Sequence, residues 1–242
     1  MTNNSCDQVR SLFTAVARDL TPAAAQHSSR VLYARFSSNR NDSINCRSIL
    51  SVSEQQQATR ITSDDERGLF QQRRAFRRFC GAIALQSALP LSKINFDVTR
   101  KGRPYLPDAP GICFSFSSCP TGMLGAWSSS HGIGVDIEDR PALSNWTELA
   151  QLFFSRSETE SIVSVGQSQR LGTFLQYWTL KEAALKSIGE GLPFGLDAFE
   201  FALTPYPQLI GASGRYDAAR QFIPFLIHGT NGIAALVTRQ PG

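Results

Sequence analysis

Residues 132–138 read Gly-Ile-Gly-Val-Asp-Ile-Glu, and residues 171–191 read Leu-Gly-Thr-Phe-Leu-Gln-Tyr-Trp-Thr-Leu-Lys-Glu-Ala-Ala-Leu-Lys-Ser-Ile-Gly-Glu-Gly. The first stretch alternates apolar and polar positions with the period of a strand, which puts Gly134, Asp136 and Glu138 on one face and Ile133, Val135 and Ile137 on the other. Two carboxylates then share a face, with Cα atoms about 6.5 to 7 Å apart, close enough to approach one hard cation that prefers oxygen ligands. Read alone, the same pattern is also that of an ordinary solvated strand face. The second stretch has helical spacing, with Leu171, Leu175, Trp178, Glu182 and Leu185 forming a stripe. A carboxylate on an apolar stripe needs a partner or a metal, because leaving water unpaired is costly. Lys186, one turn on, is the partner a plain helix-surface pair would use, and Lys181 adds a third charge.

Working outward, a helix is expected from Asp64 to Leu89, with Leu69, Phe70, Phe76, Phe79, Cys80 and Ile83 at helical spacing, Asp64 or Asp65 as cap and Pro90 as stop. Val31 to Phe36 reads as a first strand. Short β-like segments follow the helix at Ile94 to Val98, Ile112 to Phe116, Gly122 to Trp127 and Ile133 to Ile137, separated by turn residues, and suggest an antiparallel meander. A second helical segment lies near Trp146 to Phe154, a strong helix runs from about Gln169 to Ile188, and Phe222 to His228 with Ile233 to Thr238 forms a hairpin across Gly229 to Gly232. Helices followed by strands, twice, give an α+β fold of two similar halves, each an antiparallel sheet with a long helix. The expected division is 1–129 and 130–242.

Of the 242 residues, 42% are hydrophobic and 18% charged, the composition of a globular chain, and no apolar run approaches the roughly 20 residues that span a bilayer. A chain of this size buries roughly 70% of its unfolded surface, enough for a core without staples. The opening residues carry no basic segment followed by an apolar stretch, so a cytoplasmic protein with no membrane association is expected. Cys6, Cys46, Cys80, Cys113 and Cys119 are scattered without a CxxC pair, and only three histidines are present, so neither a zinc cluster nor a disulfide framework fits. Arg73, Arg74, Arg77 and Arg78 could be read as a nucleic-acid stripe. Without an interleaved aromatic platform a solvated helix face, with one or two arginines aimed inward, is the better reading, and no nucleic-acid partner is expected. Phe153 and Phe154 read as core.

Together, the two opening stretches resemble the signature of the 4′-phosphopantetheinyl transferase superfamily, G-(V/I)-D-(I/V)-E followed by W-x-x-K-E-(A/S)-x-x-K-x-x-G-x-G. The matching positions are Gly134, Asp136, Glu138, Trp178, Lys181, Glu182, Lys186, Gly189 and Gly191. Gly102-Arg103-Pro104 with Leu106-Pro107 is similar to the family's G-K-P-x-(L/I) turn, and Phe153-Phe154-Ser155 with Glu158 to its R-F-F-S-x-x-E. The resemblance can be followed from about residue 50 to 238, and its length is that of the surfactin-synthetase-activating branch, a pseudodimer within one chain. Two departures stand out. The family's F-N-x-S-H-S is Phe114-Ser115-Phe116-Ser117-Ser118-Cys119 here, so Ser118 offers a hydroxyl where a histidine would meet coenzyme A phosphate. Gln55-Gln56-Gln57 replaces basic residues expected at the 3′-phosphate, for which Arg60, Lys101 and Arg103 could compensate.

The resemblance implies transfer of the phosphopantetheine arm of coenzyme A to a serine of an apo acyl or peptidyl carrier protein, with Mg²⁺ held by Asp136, Glu138 and Glu182. It implies Glu182 as proton acceptor, Lys186 at the phosphates, Lys101, Gly102 and Arg103 along the adenine and 3′-phosphate side, Ser117 and Ser118 at the diphosphate, and Asp136, Lys181 and Lys186 as further coenzyme contacts. A single-chain pseudodimer implies a monomer. Two rival readings are a metal-dependent phosphohydrolase acting on a nucleotide, and a relative that binds coenzyme A or a carrier without catalysis.

Overall fold

The computed structural model describes residues 2–25, 29–130, 132–139, 143–189, 195–213 and 222–240. The chain begins with α1 (Thr2–Val16), β1 (Ala17–Asp19) and β2 (Ser29–Arg35), followed by α2 (Arg40–Ser48), α3 (Val52–Thr59) and the long α4 (Asp64–Ala84). Five strands come next: β3 (Asp97–Val98), β4 (Pro104–Tyr105), β5 (Cys113–Cys119), β6 (Gly122–Ser128) and β7 (Gly132–Glu138). Then come α5 (Trp146–Phe153), α6 (Arg156–Ser164) and the long α7 (Gln167–Ser187), and finally β8 (Phe199–Ala202), β9 (Gln208–Ala212), β10 (Phe222–Ile227) and β11 (Ile233–Arg239).

Among the described residues, two antiparallel sheets organise the molecule, one ordered β1-β2-β6-β5 and the other β10-β11-β7, with small ribbons β3-β4 and β8-β9 beside them. The topology is the same in both. A strand (β2 or β7) opens the unit, three helices follow, and a hairpin (β5-β6 or β10-β11) returns so that its second strand pairs with the opening one. The α+β expectation holds, but each unit is led by a strand rather than by helices. The expected meander is met only by β5 and β6. β7 leaves them and pairs with β11 instead, because alternation fixes which side chains share a face and carries no information about the partner strand.

Alternation decides the layering. Leu32 and Ala34 of β2, with Phe114, Met123 and Trp127, join Phe76, Phe79 and Cys80 of α4 in one core, while Val31, Tyr33, Leu124 and Ala126 point the other way. That second set meets Ile133, Val135 and Ile137 of β7 and Leu236 of β11, so the inner faces of the two sheets close on each other. Each of the three β7 residues is at most 1% exposed, and burial of such a side chain contributes about 1.5–3 kcal/mol. α7 covers the far side of the second sheet, packing on β7 and β11.

α4 starts on Ser63, whose side chain accepts from the Glu66 N–H at 3.3 Å, so Asp64 and Asp65 sit in the first turn, beside the positive end of the helix dipole, rather than at the cap. It ends earlier than expected. Gln86 turns left-handed (φ 49°) and the Ser87 N–H reaches the Ala82 carbonyl at 2.9 Å, a closure that finishes the helix before Pro90. Leu91 and Ile94 then make a short 3₁₀ turn whose side chains enter the α4 core, which removes the strand expected to begin at Ile94. No helix among the described residues is long and apolar enough to cross a membrane. All five cysteines are free thiols.

Candidate active site

Gly134 explains how the site is assembled. A Cβ there would collide with the Ala183 carbonyl oxygen and lie 2.5 Å from the Ser187 amide nitrogen, so only glycine lets α7 lie directly on β7. The approach brings Glu182 and Lys186, on the helix, to the face of β7 that carries Asp136 and Glu138. The alternation read from the sequence is therefore the one observed.

Asp136 is 5% exposed. Its Oδ1 accepts from Lys186 Nζ at 2.7 Å and from Ser117 Oγ at 2.7 Å, and Lys186 also donates to Ser117 Oγ at 3.3 Å. Ser117 arrives from β5, the edge of the other sheet, where the Val135 N–H also donates to Ser115 Oγ at 3.0 Å. Three segments thus meet at one carboxylate. Lys186 reaches across to β7 rather than lying along its own helix toward Glu182, so the plain helix-surface pair is replaced. Asp136 Oδ2 is buried without a hydrogen-bond partner. Burial, with the charges of Asp136 and Glu138, pushes the Glu182 carboxyl up to about 7 against the opposing pull of Lys186. Among the described residues no three His, Cys, Asp or Glu side chains stand in the close grouping of a metal centre. An orphaned buried oxygen and a carboxylate held near neutrality by two others are nevertheless what an oxygen-seeking cation would relieve, and the donor set suits Mg²⁺.

Several expected site residues lie elsewhere. Lys181 is wholly buried on another side of α7, where it pairs with Glu158 at 2.9 Å and donates to the carbonyls of Leu196 (3.1 Å) and Phe199. It therefore does not reach the Asp136 face. Glu158, at the third position of the α6 capping box, also accepts from the Phe201 N–H at 2.9 Å, which ties α6, α7 and β8 together. The stripe expected on α7 is likewise replaced by burial on most sides: Phe174, Tyr177, Leu180 and Ala184 are enclosed, while Trp178, Glu182 and Lys186 keep partial exposure. Gly191 lies outside the described residues.

Arg103 faces inward. Its guanidinium donates to the carbonyls of Phe114 (3.2 Å), Ile133 (3.0 Å) and Ser187 (3.5 Å), clasping β5, β7 and the end of α7 instead of facing a ligand. Lys101 and Gly102 occupy the exposed turn before it, with Gly102 at φ 81°. Phe153 and Phe154 pack as core against Trp178 and Phe174, with ring centroids 6.3 and 5.0 Å apart.

The inward-aimed arginines expected on α4 are present, and they outnumber the one or two expected. Arg78 is 3% exposed and bonds both oxygens of Glu54, at 3.2 and 2.7 Å, with Arg74 3.8 Å from the same carboxylate. Arg73 and Arg77 instead line a cavity of about 250 Å³ with Phe116, Ser117 and Ser118. Their spacing of four along the helix could have marked them, since residues that far apart share a face.

Residues 132–225 match the model of the 4′-phosphopantetheinyl transferase superfamily. The chain is 32% identical over 121 residues to the 4′-phosphopantetheinyl transferase Sfp of Bacillus subtilis (strain 168), covering 50% of this chain and 53% of that one. Over 116 residues it is 35% identical to the 4′-phosphopantetheinyl transferase HetI of Nostoc sp., covering 47% and 48% of the two chains. The L-aminoadipate-semialdehyde dehydrogenase-phosphopantetheinyl transferase of Xenopus laevis is 33% identical over 140 residues, 53% of this chain and 46% of its own. The matches thus span about half the length of these relatives.

Proposed function

We propose that this protein transfers the 4′-phosphopantetheine group of coenzyme A to a serine of an apo acyl or peptidyl carrier protein, releasing 3′,5′-ADP. The observation that carries this reading is the Ser117–Asp136–Lys186 junction beside Glu182, a meeting of a cation, hydroxyls and carboxylates at the place where a diphosphate must be held and a proton taken up. Asp136, Glu138 and Glu182 would hold Mg²⁺, which when bound supplies charge neutralisation to the diphosphate.

The chain's own residues do the rest. Lys186, released from Asp136, offers its ammonium to the phosphates and to the departing 3′,5′-ADP. Glu182, on the helix beside Asp136, is placed to take the proton of the carrier serine as the serine oxygen bonds to phosphorus and the bond from phosphorus to the departing 3′,5′-ADP oxygen breaks. Ser117 and Ser118 present hydroxyls on the diphosphate side, and the Lys101–Gly102 turn flanks the coenzyme. Arg103 positions this arrangement through the carbonyls it clasps.

The repeated topology supports an intramolecular pseudodimer, with a boundary near residue 130, where β6 has ended and β7 begins. A pair of units that close on each other within one chain fits a monomer. Five free thiols fit a cytoplasmic setting.

Intact-mass spectrometry of a panel of apo carrier proteins incubated with this protein, coenzyme A and Mg²⁺ tests the proposal. A gain of one phosphopantetheine arm that disappears with EDTA is expected. Coenzyme A cleavage without any carrier would instead favour a phosphohydrolase, and coenzyme binding with no product on any carrier would favour a non-catalytic binder.

A further inference from the structure

We infer that Asp139 is a positioning residue for the metal face: its side chain, hooked onto Thr121 of the first unit, fixes the end of β7 and so holds Glu138 where a cation needs it. This rests on the transferase reading above, in which Asp136, Glu138 and Glu182 hold Mg²⁺. Asp139 directly follows β7. Its Oδ2 accepts twice from Thr121, from the backbone N–H at 3.0 Å and from the hydroxyl. Asp139 Oδ1 is enclosed without a hydrogen bond, so Oδ2 carries the hold. Thr121 lies in the turn between β5 and β6 and is itself tied down, since its carbonyl accepts from the Phe36 N–H at 3.2 Å, where β2 has ended. The hook therefore joins the two units at the end of the strand that carries the carboxylates.

The position of Glu138 makes such a hold necessary. It is the last residue of β7, and its pairing with Ile233 ends the β7–β11 ladder. Chain ends that leave a ladder fray. The contacts that tie β7 to the first unit earlier in the strand act at residues 133, 135 and 136, through Arg103 (3.0 Å), Ser115 (3.0 Å) and Ser117 (2.7 Å). The hook acts at the residue next to Glu138. Successive side chains of an extended segment point opposite ways, so pinning Asp139 sets the backbone at Glu138 and leaves the Glu138 carboxylate to the metal face. On the other side β11 closes in: a Cβ on Gly232 would lie 2.3 Å from the Glu138 carbonyl oxygen and 2.8 Å from Asp139 Cβ. The end of β7 is thus gripped between Gly232 and Thr121. Bonds to an ionised carboxylate are stronger than neutral ones, and a metal ligand depends on contacts behind it for its orientation.

The test titrates Mn²⁺, an oxygen-binding cation standing in for Mg²⁺, into the full chain and reads free Mn²⁺ by electron paramagnetic resonance, with thermal melts as a folding check. Asp139→Ala should raise the Mn²⁺ dissociation constant by about 10–100-fold, and Thr121→Val, which removes the hydroxyl and keeps the backbone donor, by about tenfold. Asp139→Asn and Thr121→Ser keep the hook and should stay near the parent. In the transfer assay the two disrupting variants should need correspondingly more Mg²⁺ for half-maximal rate while approaching the parent kcat at saturating metal. Thr121→Val alters one exposed side chain and keeps the inference testable if Asp139→Ala misfolds. A tie that merely joined the units would lower Tm in both variants and leave Mn²⁺ affinity unchanged, which would overturn the inference. Equal losses in Asp139→Asn and Asp139→Ala with none in Thr121→Val would overturn it too, because the charge rather than the hook would then matter. In either case a parent that modifies carriers leaves the transferase reading standing, whereas a parent that neither binds Mn²⁺ nor modifies any carrier sinks both.

Discussion

Lys181→Met separates a lysine that holds the fold from one that handles phosphate. The side chains of Lys181 and Glu158 are 1% and 0% exposed and meet at 2.9 Å. Replacing the lysine leaves a buried carboxylate without its counter-charge, a change that costs about 3–5 kcal/mol. Glu158 would keep the N–H groups of Ser155 (2.8 Å) and Phe201 (2.9 Å), which places the loss toward the lower end of that range. For a chain of this size each kcal/mol moves Tm by roughly 2–4 °C, so a drop of roughly 6–20 °C is expected in a calorimetric melt. Transfer to a carrier, assayed below the Tm of both proteins, should proceed at close to the parent rate. Adding Glu158→Gln removes the orphaned charge but keeps an acceptor for only one of the two amides, because the Ser155 N–H meets Oε2 and the Phe201 N–H meets Oε1, so it should recover only a small part of the lost stability. A Lys181→Met protein that melts within about 2 °C of the parent yet transfers hundreds of times more slowly would place Lys181 at the reacting phosphates and refute the reasoning.

Asp136→Ala should abolish mass gain on any carrier with little change in Tm, because the lysine it releases is partly exposed and can turn to water. Lys186→Met leaves the buried Asp136 carboxylate with Ser117 as its remaining partner among the described residues, so it should lower Tm, and it should slow transfer by about 10²–10³-fold, as expected for loss of one charged stabiliser at a phosphoryl centre. Gly134→Ala should cost about 1–3 kcal/mol by overpacking against the Ala183 carbonyl, and should lower transfer together with stability because it lifts α7 from β7. Glu182, raised to about 7 when folded, binds its proton more tightly in the native than in the unfolded chain. The metal-free protein should therefore lose stability as pH rises from the usual carboxylate range through about 7; Glu182→Gln should flatten that slope, and denaturant titrations at several pH values check it.

What the sequence made legible follows from periodicity. The Gly134–Asp136–Glu138 face and the length of α7 come directly from spacings of two and three to four residues, which backbone geometry enforces. Lys181 was misplaced because it adjoins Glu182 in sequence. On a helix that is a turn of 100°, and a helix buried on most sides offers both residues an enclosed environment with different partners. Arg103 shows a related limit: Gly102-Arg103-Pro104 marks a turn, but which carbonyls the guanidinium meets depends on β7 and α7 arriving from elsewhere. On α4 the sequence points to a solvated face with one or two arginines aimed inward; nothing local announces that Glu54 of α3 takes two of them and that a cavity wall takes the others.

The family match covers residues 132–225, the segment that supplies Asp136, Glu138, Glu182 and Lys186, whereas Ser117, Ser118, Arg73 and Arg77 lie outside it. The division has a physical basis. Holding a cation and moving a proton require particular atoms at particular separations, so β7 and α7 are constrained together, down to the single glycine that lets them touch. Binding a phosphate asks only for positive charge and donors within reach, and any neighbouring element can provide them.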